Sequence, residues 1–494
     1  MRLKGRPGSG EREVSRGHST HLKRGRVERK ESETNMGLES ALRQKSEQLE
    51  LPLIYRGETP NGQWSVEALT AAYDERRSSK ENLMELVVAE SNMLAAMKRV
   101  RRNKGSPGID GMSVDELPEY MVVNWWKIRQ ELLAGSYQPQ PVQLVEIPKP
   151  DGGVRKLGIP TVVDRMIQQM VLNVLQPKFD PTFSEHSYGF RPGRSAHQAV
   201  KAARRYAQDG RKWVVDVDLE KFFDRVNHDI LMSRLAERIK DKRLLGLIRR
   251  YLEAGVMAQG VVTERWEGTP QGGPLSPLLA NVLLDEVDKE LERRGHTFVR
   301  YADDGNVYVK SERAAKDVMA TLKRLYAGLR LKINETKSGV TRANKSRYLG
   351  YGFWTAKGRV IKCRVAPKAL KAMKERVRLI TSRTGGRSLE QTAKELKVYL
   401  TGWKEYFRLA ETPKILAELD GWIGRRLRMT RLKQWKRGRT IFRELRAAGV
   451  GIKAAASVAA CSRCWWRMAG ASALKIALPN CYFAKLGVPR LAEV

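Results

Sequence analysis

The chain of 494 residues carries 92 Lys and Arg against 55 Asp and Glu, a formal net charge of +37. An excess of that size self-repels until a polyanion neutralises it, so nucleic acid is the expected partner and binding should weaken steeply with salt. No stretch approaches the roughly 18 consecutive apolar residues of a membrane span. The Arg-rich N-terminus has no apolar signal core, and Cys363, Cys461, Cys464 and Cys481 are too scattered for a disulfide framework, so a soluble, cytoplasmic protein with no membrane partner is expected.

Residues 1 to about 60 mix Arg, Lys, Glu, Ser and Gly without periodicity, the composition of a segment that stays disordered or orders on RNA. Helical signals begin at Ser79, with apolar residues at helical spacing in residues 81–89 and 94–100, before the Gly- and Pro-containing stretch 103–111 breaks into a loop. Residues 147–156 alternate turn formers with cations, and Leu157-Gly158-Ile159-Pro160 resumes an apolar strand. A hairpin whose tip projects Lys149 and Arg155 can hold a triphosphate, Lys as a point charge and Arg as a fork. Taken alone, it is an ordinary basic surface turn.

In residues 213–219, period-two alternation gives Trp213, Val215 and Val217 one face of a strand and Val214, Asp216 and Asp218 the other. An acid in a half-buried strand is costly unless it is paired or binds metal. Alternation does not choose between Asp216 and Asp218, and the plainer reading of either is an ion pair with Arg211, Lys212 or Lys221. A helix is expected to begin near Asn227-His228-Asp229. In Gly268-Thr269-Pro270-Gln271-Gly272-Gly273-Pro274 the glycines permit close backbone approach to a nucleotide, and the free amides of the helix that follows favour negative charge.

Tyr301-Ala302-Asp303-Asp304-Gly305-Asn306 puts two adjacent carboxylates at the tip of a tight hairpin, with the Asp304-Gly305 pair expected to supply the positive-φ reversal. Carboxylates on a turn suit divalent cations. Two magnesium ions roughly 3.5–4 Å apart activate a 3′-hydroxyl and stabilise a leaving pyrophosphate, the chemistry of polymerases and many nucleases. An isolated Asp-Asp-Gly is more often a solvated acidic turn, so the assignment depends on the other blocks, which include residues 331–338 and 347–353.

From Pro367 onward strand signals vanish and basic helices take over. Leu370, Met373, Val377 and Ile380 form one apolar stripe, and Leu396, Tyr399, Leu400, Trp403 and Phe407 another. Arg425, Arg426, Arg428, Arg431, Lys433, Lys436, Arg437 and Arg439, eight cations in fifteen residues with no acid among them, interleave with Trp422 and Trp435 and suit an RNA surface. Cys461 and Cys464 have half of a zinc spacing, but only Cys481 is near enough to join them and no histidine follows His296, so structural thiols are expected.

Taken in order, these blocks resemble a bacterial group II intron reverse transcriptase and maturase from about residue 83 to about residue 446. The resemblance implies an α+β fold: right-hand polymerase fingers and palm with an antiparallel palm sheet, followed by an α-helical thumb or maturase domain. The corresponding division is a basic extension over 1–60, a helical N-terminal extension over 61–130, fingers and palm over 131–362, thumb and maturase over 363–450, and a small DNA-binding region over 451–494. In that family a metal-binding Asp on the first palm strand is followed five residues later by an aromatic gate against ribose 2′-hydroxyls. This selects Asp218, with Phe223 as the gate. Asp218, Asp303 and Asp304 then hold two Mg2+ ions, Asp303 nearer to both than Asp304.

The resemblance further implies Lys149 and Arg155 as triphosphate ligands and Lys337 as general acid toward pyrophosphate. Gln271 and Gly272 match the signature under nucleotide and template, and their order speaks against diversity-generating reverse transcriptases. The loop 103–111 would cover the template, residues 347–353 grip the primer, and residues 400–407 match the maturase segment. Implied partners are group II intron RNA, an RNA template, a DNA primer, target DNA and dNTPs, in the bacterial cytoplasm at the nucleoid. Lacking later histidines, the chain resembles the endonuclease-lacking lineages, including the group IIC type. Two other classes remain open on sequence: a splicing-only maturase, and a domesticated reverse transcriptase serving defence or DNA repair.

Overall fold

The computed structural model describes residues 82–148, 153–258, 261–263, 267–269, 272–383, 385–461 and 464–493. Expectations for residues 1–81, Lys149 and Gln271 lie outside them, as does the side chain of Arg155. The first part of the chain runs α1 (Leu83–Val87), α2 (Glu90–Asn103), α3 (Leu117–Ala134), β1 (Val142–Pro148), β2 (Val154–Ile159), α4 (Val162–Phe179) and α5 (Ala196–Gln208). Next come β3 (Trp213–Val217), α6 (His228–Ala236), α7 (Lys242–Glu253), β4 (Val256–Ala258), β5 (Val261–Thr263), α8 (Ser276–Arg293), β6 (Thr297–Tyr301) and β7 (Asp304–Val309). Then follow α9 (Glu312–Gly328), β8 (Gly339–Arg342), β9 (Arg347–Tyr348), β10 (Tyr351–Thr355) and β11 (Ile361–Val365). Beyond Val365 the regular elements among the described residues are helices, led by α10 (Pro367–Ile380), α11 (Leu389–Tyr406), α12 (Pro413–Trp435), α13 (Gly438–Ala447) and α14 (Ile452–Ala460).

Alternation in β3 decides the centre of the molecule. The strand lies inside an antiparallel sheet of order β6-β7-β3-β8. Its Val215 and Val217 face a first core with Phe298, Val307 and helices from both sides of the sequence, while Val214 turns to a second core with Val299 and Tyr308. The sheet is therefore a wall between two cores, which is why its apolar positions are buried on both faces. A separate sheet, β2-β1-β4-β5, carries the basic hairpin: β1 and β2 pair so that Arg155 stands opposite Ile147, and β1 pairs parallel with β4.

The helical stripes read from sequence are buried as spaced. Met373, Val377 and Ile380 of α10 and Leu396, Leu400 and Trp403 of α11 lie in the second core. The division at 130/131 falls inside α3, and that at 362/363 inside β11, whose last residue is Val365. One cation also leaves the expected RNA surface. Arg428 is only 4% exposed, and its guanidinium donates to the carbonyls of Ala469 and Leu478 at 3.1 Å each and to Asn480 Oδ1 at 3.3 Å. Its sequence neighbours are basic, but its position on α12 points inward, where carbonyls at a helix end take the place of phosphate. Among the described residues no helix is long and apolar enough to cross a membrane.

Candidate active site

β3 ends at Val217, and the chain beyond it is held by the segment after α9. Asn334 N–H donates to the Asp218 carbonyl at 2.8 Å, Ser338 Oγ accepts from the Asp218 N–H at 2.9 Å, and Leu219 bridges Ile333. This pairing brings Lys337 Nζ within 3.2 Å of Asp218 Oδ2. Lys221, at φ 49°, then turns the chain into a short 3₁₀ helix, Phe222–Asp224. Phe222 is core, 3% exposed, and Phe223 is half-buried against it with ring centroids 5.1 Å apart.

The acidic hairpin forms, but not with the expected reversal. Tyr301 pairs with Asp304, so the turn consists of Ala302 and Asp303, and the positive φ, 58°, belongs to Ala302. Gly305 instead lies in β7 opposite Val217. Asn306 is fully buried within β7, and the turn lies two residues before the expected one. The hairpin then brings Asp303 and Asp304 to a cleft of about 1000 Å³ whose walls include Asp218, Phe223 and Lys337. Asp216 is not part of that wall. It pairs with Asn306 and Gly339 in the middle of the sheet, and the Asn306 amide, assigned with its nitrogen toward the carboxylate, donates to Asp216 Oδ1 at 2.8 Å.

The loop before α8 closes on the same region. Gly268 at φ 89° and Thr269 are tied to Val226 and Phe223 by N–H to carbonyl bonds of 2.7 Å each. Gly272 adopts φ 144°, and a Cβ there would sit 2.5 Å from the Gly158 carbonyl of β2, so this backbone approach requires glycine. A neighbouring cleft of about 1140 Å³ runs between α2, α4 and α8, past Gly272 and Tyr301. Arg99, Arg165 and Arg194 line it, together with Phe190, an exposed ring held at φ 60°.

Crowded carboxylates dominate the electrostatics. Burial first, then Asp304 and Asp218, push the half-buried Asp216 carboxyl up to about 7. Asp304 is raised to about 6 by desolvation, then by Asp303 and Asp218, with Lys337 opposing. Asp304 is solvent-exposed, so water screens the repulsion there more than at the half-buried Asp216. Asp218 Oδ2 is buried without a hydrogen-bond donor; Lys337 is close enough to pair by charge but not aligned to donate. An orphaned anionic oxygen beside two more carboxylates fits a hard divalent cation. Among the described residues no three such groups close into a ready metal cage.

On α12, the turn after it and the start of α13, Lys433, Lys436, Arg437 and Arg439 are exposed. Arg425 stacks on Trp466 at 4.2 Å and donates to its carbonyl, while Arg426 donates to Thr381 Oγ1 at 2.9 Å. Arg431 lies 5.9 Å over Trp435, and Lys374 and Arg378 cover Trp422. Those ring faces already carry cations. Cys461, Cys464 and Cys481 are exposed free thiols, and Cys363 is buried.

A palm-like sheet with carboxylates at its hairpin end, fingers that pair beside it and a helical domain behind define a nucleic-acid polymerase of the reverse-transcriptase class. Residues 147–353 match the family described as reverse transcriptase (RNA-dependent DNA polymerase), and residues 370–449 match the group II intron maturase-specific domain. Protein YkfC of Escherichia coli (strain K12) is 32% identical over 306 residues, covering 53% of this chain and 80% of that protein. The group II intron-encoded protein LtrA of Lactococcus lactis subsp. cremoris is 37% identical over 223 residues, covering 43% of this chain and 37% of that protein. A chain of a partial Cas6-RT-Cas1–Cas2 complex overlaps 51% of this chain and 43% of its own length at 27% identity, with a TM-score of 0.34, too low to bear on the fold. The chain belongs to the group II intron reverse transcriptase and maturase family. It is an RNA-directed DNA polymerase with a maturase domain, in a family that uses divalent metal ions and binds intron RNA and nucleic-acid templates.

The Asp216 environment generates a pH test. In EDTA its carboxyl keeps a proton in the folded chain at pH values where the unfolded chain has released it, so its stabilising contribution is lost as pH rises toward and through about 7. Asp216→Asn should therefore gain melting temperature relative to the parent as pH rises from about 5 to about 8. A difference that stays constant over this range removes the proposed crowding.

Proposed function

We propose that Asp218, Asp303 and Asp304 hold two Mg2+ ions for nucleotidyl transfer from dNTPs, and that the maturase helices bind a group II intron RNA whose splicing and target-primed mobility the protein assists. The observation that carries this reading is the meeting of the three carboxylates with Phe223 and Lys337 on one cleft, where Asp218 Oδ2 has no hydrogen-bond donor of its own. When bound, the metal would lower the pKa of a primer 3′-hydroxyl and neutralise charge on the leaving pyrophosphate. Lys337, mostly exposed beside Asp218, would hold the proton that pyrophosphate takes. The half-buried Phe223 ring would exclude a ribose 2′-hydroxyl. Lys149 and Arg155 would grip the triphosphate, with Gln271 and Gly272 beneath the nucleotide.

The RNA template would follow the neighbouring cleft, where Arg99, Arg165 and Arg194 meet phosphates and Phe190 offers an exposed face. For intron RNA the four exposed cations Lys433, Lys436, Arg437 and Arg439 are the strongest candidates, supported by Arg425, Arg426 and Arg431 at its edge. The nascent or exposed single strand of a DNA target would supply the primer.

Three outcomes test the reading. Asp303→Ala should cut primer extension on an RNA template by about 10³-fold or more while RNA binding stays near that of the parent; normal extension would sink the assignment. Phe223→Val should raise ribonucleotide incorporation about tenfold or more, measured as the ratio of kcat/KM for rNTP and dNTP; an unchanged ratio would make Phe223 simple packing. Replacing Lys433, Lys436, Arg437 and Arg439 by Gln should lower the slope of log affinity against log salt by about 0.7–0.9 per lost phosphate contact. Arg428→Gln, in contrast, should lower the melting temperature and leave that slope alone.

A further inference from the structure

One buried side chain touches the acidic turn from behind. Arg300, next to last in β6, has a side chain only 3% exposed. Its Nε lies 2.9 Å from both oxygens of Asp288 on α8, and Nη2 donates to Asp288 Oδ2 at 2.6 Å. Nη1 leaves that pair. It donates to Asn281 Oδ1 at 2.9 Å and to the Ala302 carbonyl at 3.0 Å. Asn281 is fully buried, and its Nδ2 donates in turn to the Gly189 carbonyl at 3.0 Å. The segment around Gly189 also flanks β6: Arg300 N–H donates to the His186 carbonyl at 2.9 Å, and Tyr188 N–H to the Arg300 carbonyl at 2.8 Å.

The grip falls on the strained residue. Ala302 has φ 58°, a region that an L-residue with a Cβ occupies only when its surroundings impose it. Gly189 presses against the same spot, since a Cβ there would lie 2.2 Å from the Ala302 nitrogen. The peptide whose carbonyl Arg300 holds is the one that begins Asp303. A guanidinium fork suits this task, because one planar group meets a carboxylate on one edge and two oxygens on the other.

We infer that Arg300, oriented by Asp288 and Asn281, is a positioning residue that fixes the Ala302–Asp303 peptide and so sets where the Asp303 carboxylate meets metal. A buried ion pair serving only the core would leave nothing directed at the turn. Here one of the two terminal nitrogens is committed to it, and α8, which supplies Asp288 and Asn281, runs directly on from the Gly272 loop. The fold thus links the nucleotide loop and the acidic turn through one helix. The inference rests on the assignment of Asp303 as a metal ligand.

The test compares the full-length parent, Arg300→Lys, Asn281→Ala and Asp303→Ala on one RNA template and DNA primer, across a Mg2+ titration. Lysine can still pair with Asp288 but cannot reach Asn281 and the Ala302 carbonyl together. Arg300→Lys is expected to lower kcat on the order of 10²-fold, the cost of misplacing a reacting group by about 1 Å, and to raise the half-saturating Mg2+ concentration several-fold, with KM for dNTP within about twofold. Asn281→Ala keeps the ion pair and should shift both quantities the same way by less. Melting curves accompany each variant; if Arg300→Lys does not fold, Asn281→Ala decides. Folded variants with parental kcat and Mg2+ midpoint overturn the inference, as does a loss of kcat with an unmoved midpoint. Extension by Asp303→Ala, or none by the parent, overturns the active-site assignment itself and takes the inference with it.

Discussion

Like charges crowded at one end of a buried sheet repel, and much of this structure can be understood as the means of holding them there. Asp216 stands within β3, Asp218 lies one residue past its end, and the β6–β7 hairpin delivers Asp303 and Asp304 alongside. Desolvation and mutual repulsion raise Asp216 and Asp304 well above ordinary aspartates. A sheet free to twist or fray would relieve that repulsion by separating the acids. This one cannot, because its two faces are packed into two different cores and its central strand is bonded on both edges. The unfavourable charge arrangement is thereby kept in place.

The second core also joins polymerase to maturase. The β9–β10 turn, with Leu349 and Gly350 both at positive φ, rests on the end of α11. Tyr351 Oη and His197 Nε2 both donate to the Tyr406 carbonyl, the latter at 2.7 Å, and Tyr406 Oη returns a 3.0 Å bond to the Leu349 carbonyl. Phe407 packs on Tyr351 with ring centroids 5.2 Å apart. The β9–β10 turn, in the segment that resembles a primer grip, is thus seated on the C-terminal end of α11.

Much of this was legible in the residues. Alternation in β3, the helical stripes of α10 and α11, and the Asn227 start of α6 are local patterns, and each formed where the spacing put it. The turn register was not. Asp304-Gly305 has the stronger reversal propensity, yet Gly305, Asn306 and Val307 pair with β3, and Ala302 bears the positive φ instead. Arg428 leaves the basic surface for a related reason. A run of cations looks uniform in sequence, but a helix directs every fourth side chain inward, and Arg428 meets carbonyls there.

By itself, the sequence determined the inventory: which carboxylates exist, which share a strand face, how much positive charge awaits a polyanion, and the order of blocks that marks the family. These are properties of composition and short periods, and they survive without knowing what packs on what. Tertiary structure decided what alternation in β3 left open and only the family resemblance had chosen: Asp216 lies within the sheet between β7 and β8, while Asp218, one residue past the end of β3, lines the cleft. It also decided that Arg300 serves the acidic turn. Nothing near Arg300 in sequence predicts Asp288, Asn281 and Gly189 as its surroundings, because those contacts come from a helix and a loop brought together only when the cores close.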